Sequence, residues 1–338
     1  MMANQDAVKI LKENLGVKLR AFPRDITIAY DDSKHILTMT LLPKYVGLGK
    51  EDAVNMQDNA AAFEAWYFII KAYTNIKNLK IMLDIDGVCN DKYVGGIPSN
   101  GHLGRFLYRI LKFKEQYGEW FSLSYELEAM RKNFADFLSS GKFVNNEPSK
   151  EAEDDEDALG TEGYVEKRFC DDDSLGKLIL GFSGKNVVMN RQLPVGLFKD
   201  KKSDATAVFT GKKSAIDFWL LYKNELNIYE LKAKNKMVGI LTEIFFYSNY
   251  MRDVYWHNSL ETKQNVEILN PKKTDRSYDK LCNGIKSITK ITGWLLADEF
   301  HPAITDDVIN IMNNNGIKNE LQYDKKQYDL KIDINVHK

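Results

Sequence analysis

Cysteine is scarce in this chain. Cys89, Cys170 and Cys282 stand far apart with no CxxC pair, which excludes a disulfide scaffold and a zinc ribbon and fits a reducing compartment, the cytoplasm. Long apolar runs are missing too: none approaches the roughly 18 residues needed to span a bilayer, and the polar start MMANQDAVK has no signal-peptide core. A soluble protein with no membrane partner is expected. The five histidines, His35, His102, His257, His301 and His337, are scattered without metal-ligand spacing. Walker A, GxGxxG and GxSxG patterns are absent, which removes the main support for ATP-driven, dinucleotide-binding and serine-hydrolase chemistries. Neither charge sign dominates, with 47 basic and 48 acidic side chains.

What is present is a globular composition, 44% hydrophobic and 28% charged, over 338 residues, enough for two ordinary domains. The charge is unevenly placed. Residues 147–157, EPSKEAEDDED, hold seven acids against one lysine and nothing to bury, and so read as a linker. On either side lie a half of 19 basic and 17 acidic residues (1–146) and a half of 27 basic and 24 acidic residues (158–338). Each half is mildly basic, a balance that permits binding to a phosphate backbone without demanding it. The expected organisation is therefore an N-terminal domain over 1–146, an acidic linker over 147–157 and a C-terminal domain over 158–338.

In the first half, Val8, Ile10, Leu11 and Leu15 predict a helix, and DITIAY and HILTMTLL predict two strands around the turn-like DDSK. An apolar-periodic helix is predicted from Met56 to Tyr73, then a strand, LKIMLDI, then two helices, one carrying Leu103 to Leu111 and the other Trp120 to Phe134. This is an α+β or mostly helical domain. In the second half, residues 158–170 predict an amphipathic helix. VVMNRQLPVGLF predicts a strand bent near Pro194 and Gly196, and SAIDFWLLY and LNIYELKA predict a hairpin. A buried helix over MVGILTEIFFYSNYMRDVYW, a later helix over CNGIKSITKITGWLLADEF and terminal strands ELQY and YDLKIDI complete it. Neither hairpin face is polar, so the sheet is expected to be covered on both sides.

The hairpin carries the chemistry. With Lys223 and Asn224 as a two-residue turn, paired positions sum to 447. That sets Asp217 opposite Glu230 and aligns them with Lys232 on one face. A one-residue change in the turn would send one acid to the other side. Two opposed carboxylates in an apolar setting repel unless they share a cation, and a divalent ion is the natural one. Carboxylate oxygens completed by water and phosphate suit Mg²⁺, with Lys232 beside the attacking water or the scissile phosphate. Glu162 lies on the apolar stripe of the preceding helix with Val165 and Phe169, and Glu166 lies about 40° further round at 100° per residue, so either could supply a third acid.

The order helix glutamate, strand, Asp217, then Glu230-Leu231-Lys232, then a buried helix resembles the PD-(D/E)XK nuclease superfamily over about residues 158–256. Ile216 stands where the name-giving proline would be. The resemblance implies an α/β fold with a restriction-endonuclease-like αβββαβ core and Mg²⁺- or Mn²⁺-dependent hydrolysis of DNA phosphodiester bonds. Asp217, Glu230 and the carbonyl of Leu231 would be the metal ligands, Lys232 would assist the water nucleophile, and Glu162 or Glu166 would be the helix acid. It is also compatible with a homodimer. Gln192, Glu243, Tyr247 and Arg252 are candidates for supporting roles, and lysines 199, 201, 202, 212 and 213 for a DNA-backbone platform.

Two other readings stand beside this one. One is a non-catalytic nucleic-acid-binding or assembly protein with a nuclease-like fold; as plain structure, Glu230 and Lys232 on an exposed strand would be ordinary same-face surface charges. In the first half, Asp84 and Asp86 of KIMLDIDGVCND match the nucleophile motif of haloacid-dehalogenase-like phosphatases. That family needs a doubly wound core, whereas a loop and two long helices are predicted to follow here.

Overall fold

A computed structural model describes residues 13, 22–49, 53–74, 76–88, 92–148, 161–171, 180–181, 187–209, 214–270 and 277–329. All of the predicted first helix but Glu13, together with Cys89, Lys212, Lys213, most of the acidic linker and the end of YDLKIDI, lies outside these residues.

Strands β1 (Thr27–Asp31) and β2 (Ile36–Leu41) alternate buried and less buried side chains and pair antiparallel, as their period of two requires. Helix α1 (Phe63–Tyr73) leads to β3 (Lys80–Ile85), parallel to β2, and α2 (Gly101–Tyr117) leads to β4 (Phe121–Leu123), parallel to β3. The N-terminal sheet thus contains parallel βαβ units, more regular than a mostly helical domain. Two boundaries differ from expectation. Residues before Phe63 are held in turns by Asp58, whose side chain accepts from Ala60 N and whose carbonyl accepts from Ala61 N and Ala62 N. Phe121 to Leu123 pair with β3, so the next helix, α3 (Tyr125–Ser140), starts later than its apolar spacing predicts. Strand β5 (Phe143–Asn145) follows.

The second half contains α4 (Glu162–Asp171), β6 (Val188–Pro194), β7 (Leu197–Lys199), β8 (Ala207–Phe209), β9 (Ala215–Tyr222) and β10 (Glu225–Lys232). Helix α5 (Gly239–Tyr250) continues into a π-helical stretch over Met251–Trp256. Short strands β11 (Ser259–Leu260), β12 (Lys263–Gln264) and β13 (Val266–Glu267) precede α6 (Tyr278–Gly284), β14 (Lys290–Ala297), α7 (Asp306–Asn313) and β15 (Leu321–Gln327). The expected helix over CNGIKSITKITGWLLADEF is corrected here. Only its first residues are helical, and Lys290–Ala297 form a strand parallel to both β10 and β15. That strand is apolar on both faces because both are covered, which hides the period that would distinguish it from a helix.

The large sheet runs β15-β14-β10-β9-β6, an antiparallel β6-β9-β10 meander extended by parallel strands. Val165 and Phe169 of α4 pack with Phe218, Tyr229 and Leu231 on one face. Ile244 and Phe245 of α5 pack with Trp219, Ile228 and Ile291 on the other. This second core runs on without a break into Phe106, Leu107 and Phe113 of α2. The small sheet β13-β5-β7-β8 also draws strands from both halves. A buried polar contact joins them as well: Glu64 of α1 accepts from Arg109 of α2 and from the Thr242 hydroxyl of α5. The chain is a mixed α/β protein. No helix among the described residues is long and apolar enough to cross a membrane.

Candidate active site: a carboxylate cluster around Lys232

The hairpin turn falls at Lys223 and Asn224, with Lys223 in the left-handed region (φ 53). The ladder runs Tyr222↔Glu225 to Phe218↔Tyr229, the register that sums to 447, and stops one pair short of Asp217 and Glu230. At that point a carboxylate oxygen of Asp217 accepts from the Leu231 backbone N–H at 2.6 Å. The other side of β9 is interrupted at the same place. Pairing with β6 passes from Phe218↔Arg191 to Ile216↔Leu193 without a Gln192↔Asp217 step, and Gln192 has a left-handed backbone (φ 55). Such a backbone is uncommon outside glycine and marks local strain. The alternation slips here too, since Ile216 joins the core under α5 and Phe218 the cluster under α4. Asp217 therefore sits at a kink, freed from strict ladder geometry.

Lys232, only 4% exposed, lies at the centre of the acids. Its Nζ donates to Glu230 Oε1 at 2.6 Å, lies 3.2 Å from Glu243 Oε2 of α5 and lies 3.9 Å from Glu162 Oε2 of α4. Glu230 and Glu243 are as buried as the lysine, while Glu162 is partly open to solvent. Glu162 also accepts from Ala233 N at 3.4 Å, and Glu166, buried on the same helix, accepts from Gln192 Nε2 at 2.5 Å. Both candidate helix acids thus face the cluster: Glu162 on the Lys232 side, Glu166 beside Asp217.

Burial raises the Asp217 carboxyl well above its ordinary range, helped by the negative charge of Glu166 and opposed by Lys232 and the Leu231 N–H. Burial likewise raises Glu230 well above its ordinary range, with Asp217 and Glu243 adding to the effect. For Lys232, burial works against the charge. Glu230, Glu243, Asp217 and Glu162 outweigh it and hold the ammonium well above its ordinary value. Tyr247 of α5 is buried against Glu230, Glu243 and Asp217, and its phenol is raised well above the usual range, chiefly by burial.

The acids outnumber the cation that binds them. Glu230 Oε2 is buried and meets no donor; it faces the Glu243 carboxyl, a place that a shared proton or an added cation would satisfy. A magnesium-type ion takes one or two carboxylates and completes its shell with water and phosphate oxygens, which is the ligand chemistry Asp217 and Glu230 would offer. Among the described residues, no group of three or more His, Cys, Asp or Glu side chains forms a ready-made metal cage.

Other expected residues lie elsewhere. Arg252 donates to Glu320 at 2.5 Å and to Asp253 at 2.9 Å. It lines a separate pocket of about 460 Å³ with Lys112, Arg131, His257 and Glu261. Lys202 pairs with Glu147 at 3.0 Å, and Lys199 lies over the Phe137 ring. Asp84 Oδ1 accepts from Ile85 N near the end of β3, far along the chain from the hairpin. One charged residue near the cluster was not foreseen from sequence: Arg105 of α2, whose pKa burial pushes down, with Tyr247 and Glu243 working the other way. Searches against family models, curated proteins and solved structures return no match to this chain.

Proposed function

We propose that this protein is a metal-dependent nuclease that hydrolyses DNA phosphodiester bonds at a PD-(D/E)XK-type site on a restriction-endonuclease-like core. The observation that carries the reading is Lys232, buried and held between Glu230 and Glu243 beside the displaced carboxyl of Asp217. Acids of this kind are costly to keep in an apolar sheet, and such costs cluster at functional sites.

Asp217 and Glu230, with the Leu231 carbonyl, would hold Mg²⁺ or Mn²⁺, which when bound would acidify a water and offset phosphoryl charge. The chain's own residues do the rest. Lys232 is kept protonated by its acidic neighbours and offers N–H donors to the water nucleophile or to a phosphoryl oxygen. Glu243 keeps the lysine from swinging out of the site, and Glu166 is fixed by Gln192 beside Asp217.

A second reading, a non-catalytic nucleic-acid-binding or assembly module, draws on the same lysine. With its bonds given to Glu230 and Glu243, Lys232 forms a closed ion-pair network. Incubating the protein with supercoiled, linear and single-stranded DNA in Mg²⁺, Mn²⁺ or EDTA separates the two. The nuclease reading expects cleavage that needs the metal and is lost in Glu230→Gln and Lys232→Ala. Salt-sensitive binding with no cleavage, indifferent to metal and to Lys232→Ala, supports the second reading.

A further inference from the structure

Helix α2 carries three basic residues at i, i+4 and i+7, namely Arg105, Arg109 and Lys112, on one stripe of its buried surface. All three are buried, at 7%, 2% and 4% exposure. Two have carboxylate partners: Arg109 holds Glu64, and Lys112 Nζ lies 2.9 Å from Asp253. Arg105 has none among the described residues. Its Nη1 donates to Ser214 Oγ at 3.2 Å, its Nη2 donates to His102 Nδ1 at 3.1 Å, and its buried Nε has no partner at all.

These partners hold the guanidinium without neutralising it. An arginine only donates, so His102 accepts on Nδ1 and must be the neutral tautomer protonated on Nε2. Burial and the Arg105 charge both push the His102 pKa down, in keeping with that neutral state. A buried cation with only neutral partners is costly unless an anion arrives to complete it. Its position points to which anion. Ser214 directly precedes β9, three residues before Asp217, and of the groups near enough to oppose the burial of the Arg105 charge, Tyr247 and Glu243 belong to the cluster.

We propose that Arg105, steadied by His102 and Ser214, is a phosphate-binding residue of the N-terminal half, gripping a backbone phosphate of a DNA strand whose neighbouring phosphodiester lies at the carboxylates. This inference rests on the nuclease reading for its ligand, and it assigns the first half a direct part in holding substrate. A guanidinium suits the task, since its fork meets two phosphate oxygens at once.

The test is binding of a fluorescein-labelled oligonucleotide, single-stranded and duplex, to the full-length protein in EDTA at several salt concentrations, with thermal melting of each variant. Arg105→Gln should weaken binding about tenfold and lower the salt slope by about one phosphate contact. Its melting temperature should be no lower than wild type, because an unpaired buried charge has been removed. Arg105→Lys should keep the slope and lose part of the affinity. Oligonucleotide binding by Arg105→Gln equal to wild type overturns the proposal, as does failure of that variant to fold, which would make the arginine structural. Cleavage that requires Glu230 but ignores Arg105 removes this subsite and leaves the nuclease reading standing. Arg105-dependent binding without any cleavage does the reverse.

Discussion

Replacing Lys232 with methionine keeps most of the side-chain volume and removes the charge, leaving Glu230 and Glu243 buried together without their cation. The lysine nitrogen is 2.6 Å from one and 3.2 Å from the other, and no other lysine or arginine among the described residues lies within ion-pair distance of either. Removing one partner of such a buried pair costs about 3–5 kcal/mol. Proton uptake by the stranded acids limits the loss to about the lower end of that range. At roughly 2–4 °C per kcal/mol for chains of this order of size, the melting temperature should fall by about 6–12 °C at pH 8 in EDTA. The sign of the pH dependence follows from Glu230. Its folded pKa is raised above the unfolded value, so protonation favours the fold, and the penalty for the charged form is lifted as pH falls through the folded pKa. The gap between variant and wild type should therefore narrow at pH 5. Mg²⁺ at ten times its dissociation constant would return about 1.4 kcal/mol. Differential scanning fluorimetry reads all three effects. A variant as stable as wild type at pH 8, or a gap of equal size at pH 5 and pH 8, would refute the reasoning.

Asp217→Asn should abolish metal-dependent cleavage while melting no lower than wild type at pH 7 to 8. The amide oxygen still accepts from Leu231 N–H and the repulsion from Glu166 is gone; a large loss of stability would mean the carboxylate is a structural necessity. Glu64→Gln breaks the buried contact that ties α1, α2 and α5 together, and should lower stability by roughly 3–5 kcal/mol in urea denaturation. A change below about 1 kcal/mol would show that Arg109 is satisfied without it.

The hairpin was legible because its signal is local. Two β-prone runs flank a two-residue turn, and the ladder from Phe218 to Tyr222 has the register the spacing predicts. The kink at Asp217 was not legible, since it depends on Gln192, a residue 25 positions away that turns its backbone left-handed opposite the acid. Strand β14 was misread because Ile285, Ile288, Ile291 and Leu295 imitate a helical stripe. The β-branched run around Gly293 was the better guide, and a Cβ at Gly293 would lie 2.5 Å from the Ser248 hydroxyl of α5, so only glycine lets the helix and strand come so close. Arg105 leaves a trace in the sequence. Charges repeating at i, i+4 and i+7 among Leu103, Phe106, Leu107 and Ile110, as Arg105, Arg109 and Lys112 do, cannot all face water. Which of them lacks a partner is a tertiary fact that sequence does not carry.

The most direct measurement is Mn²⁺ binding, followed by the loss of the free-ion electron paramagnetic resonance signal on titration into wild-type protein, Asp217→Asn and Glu230→Gln. Saturable uptake by wild type that is lost in both variants, while each remains folded, is the predicted result. Uptake of equal strength in all three proteins, or none in any, would contradict a divalent-metal site at Asp217 and Glu230.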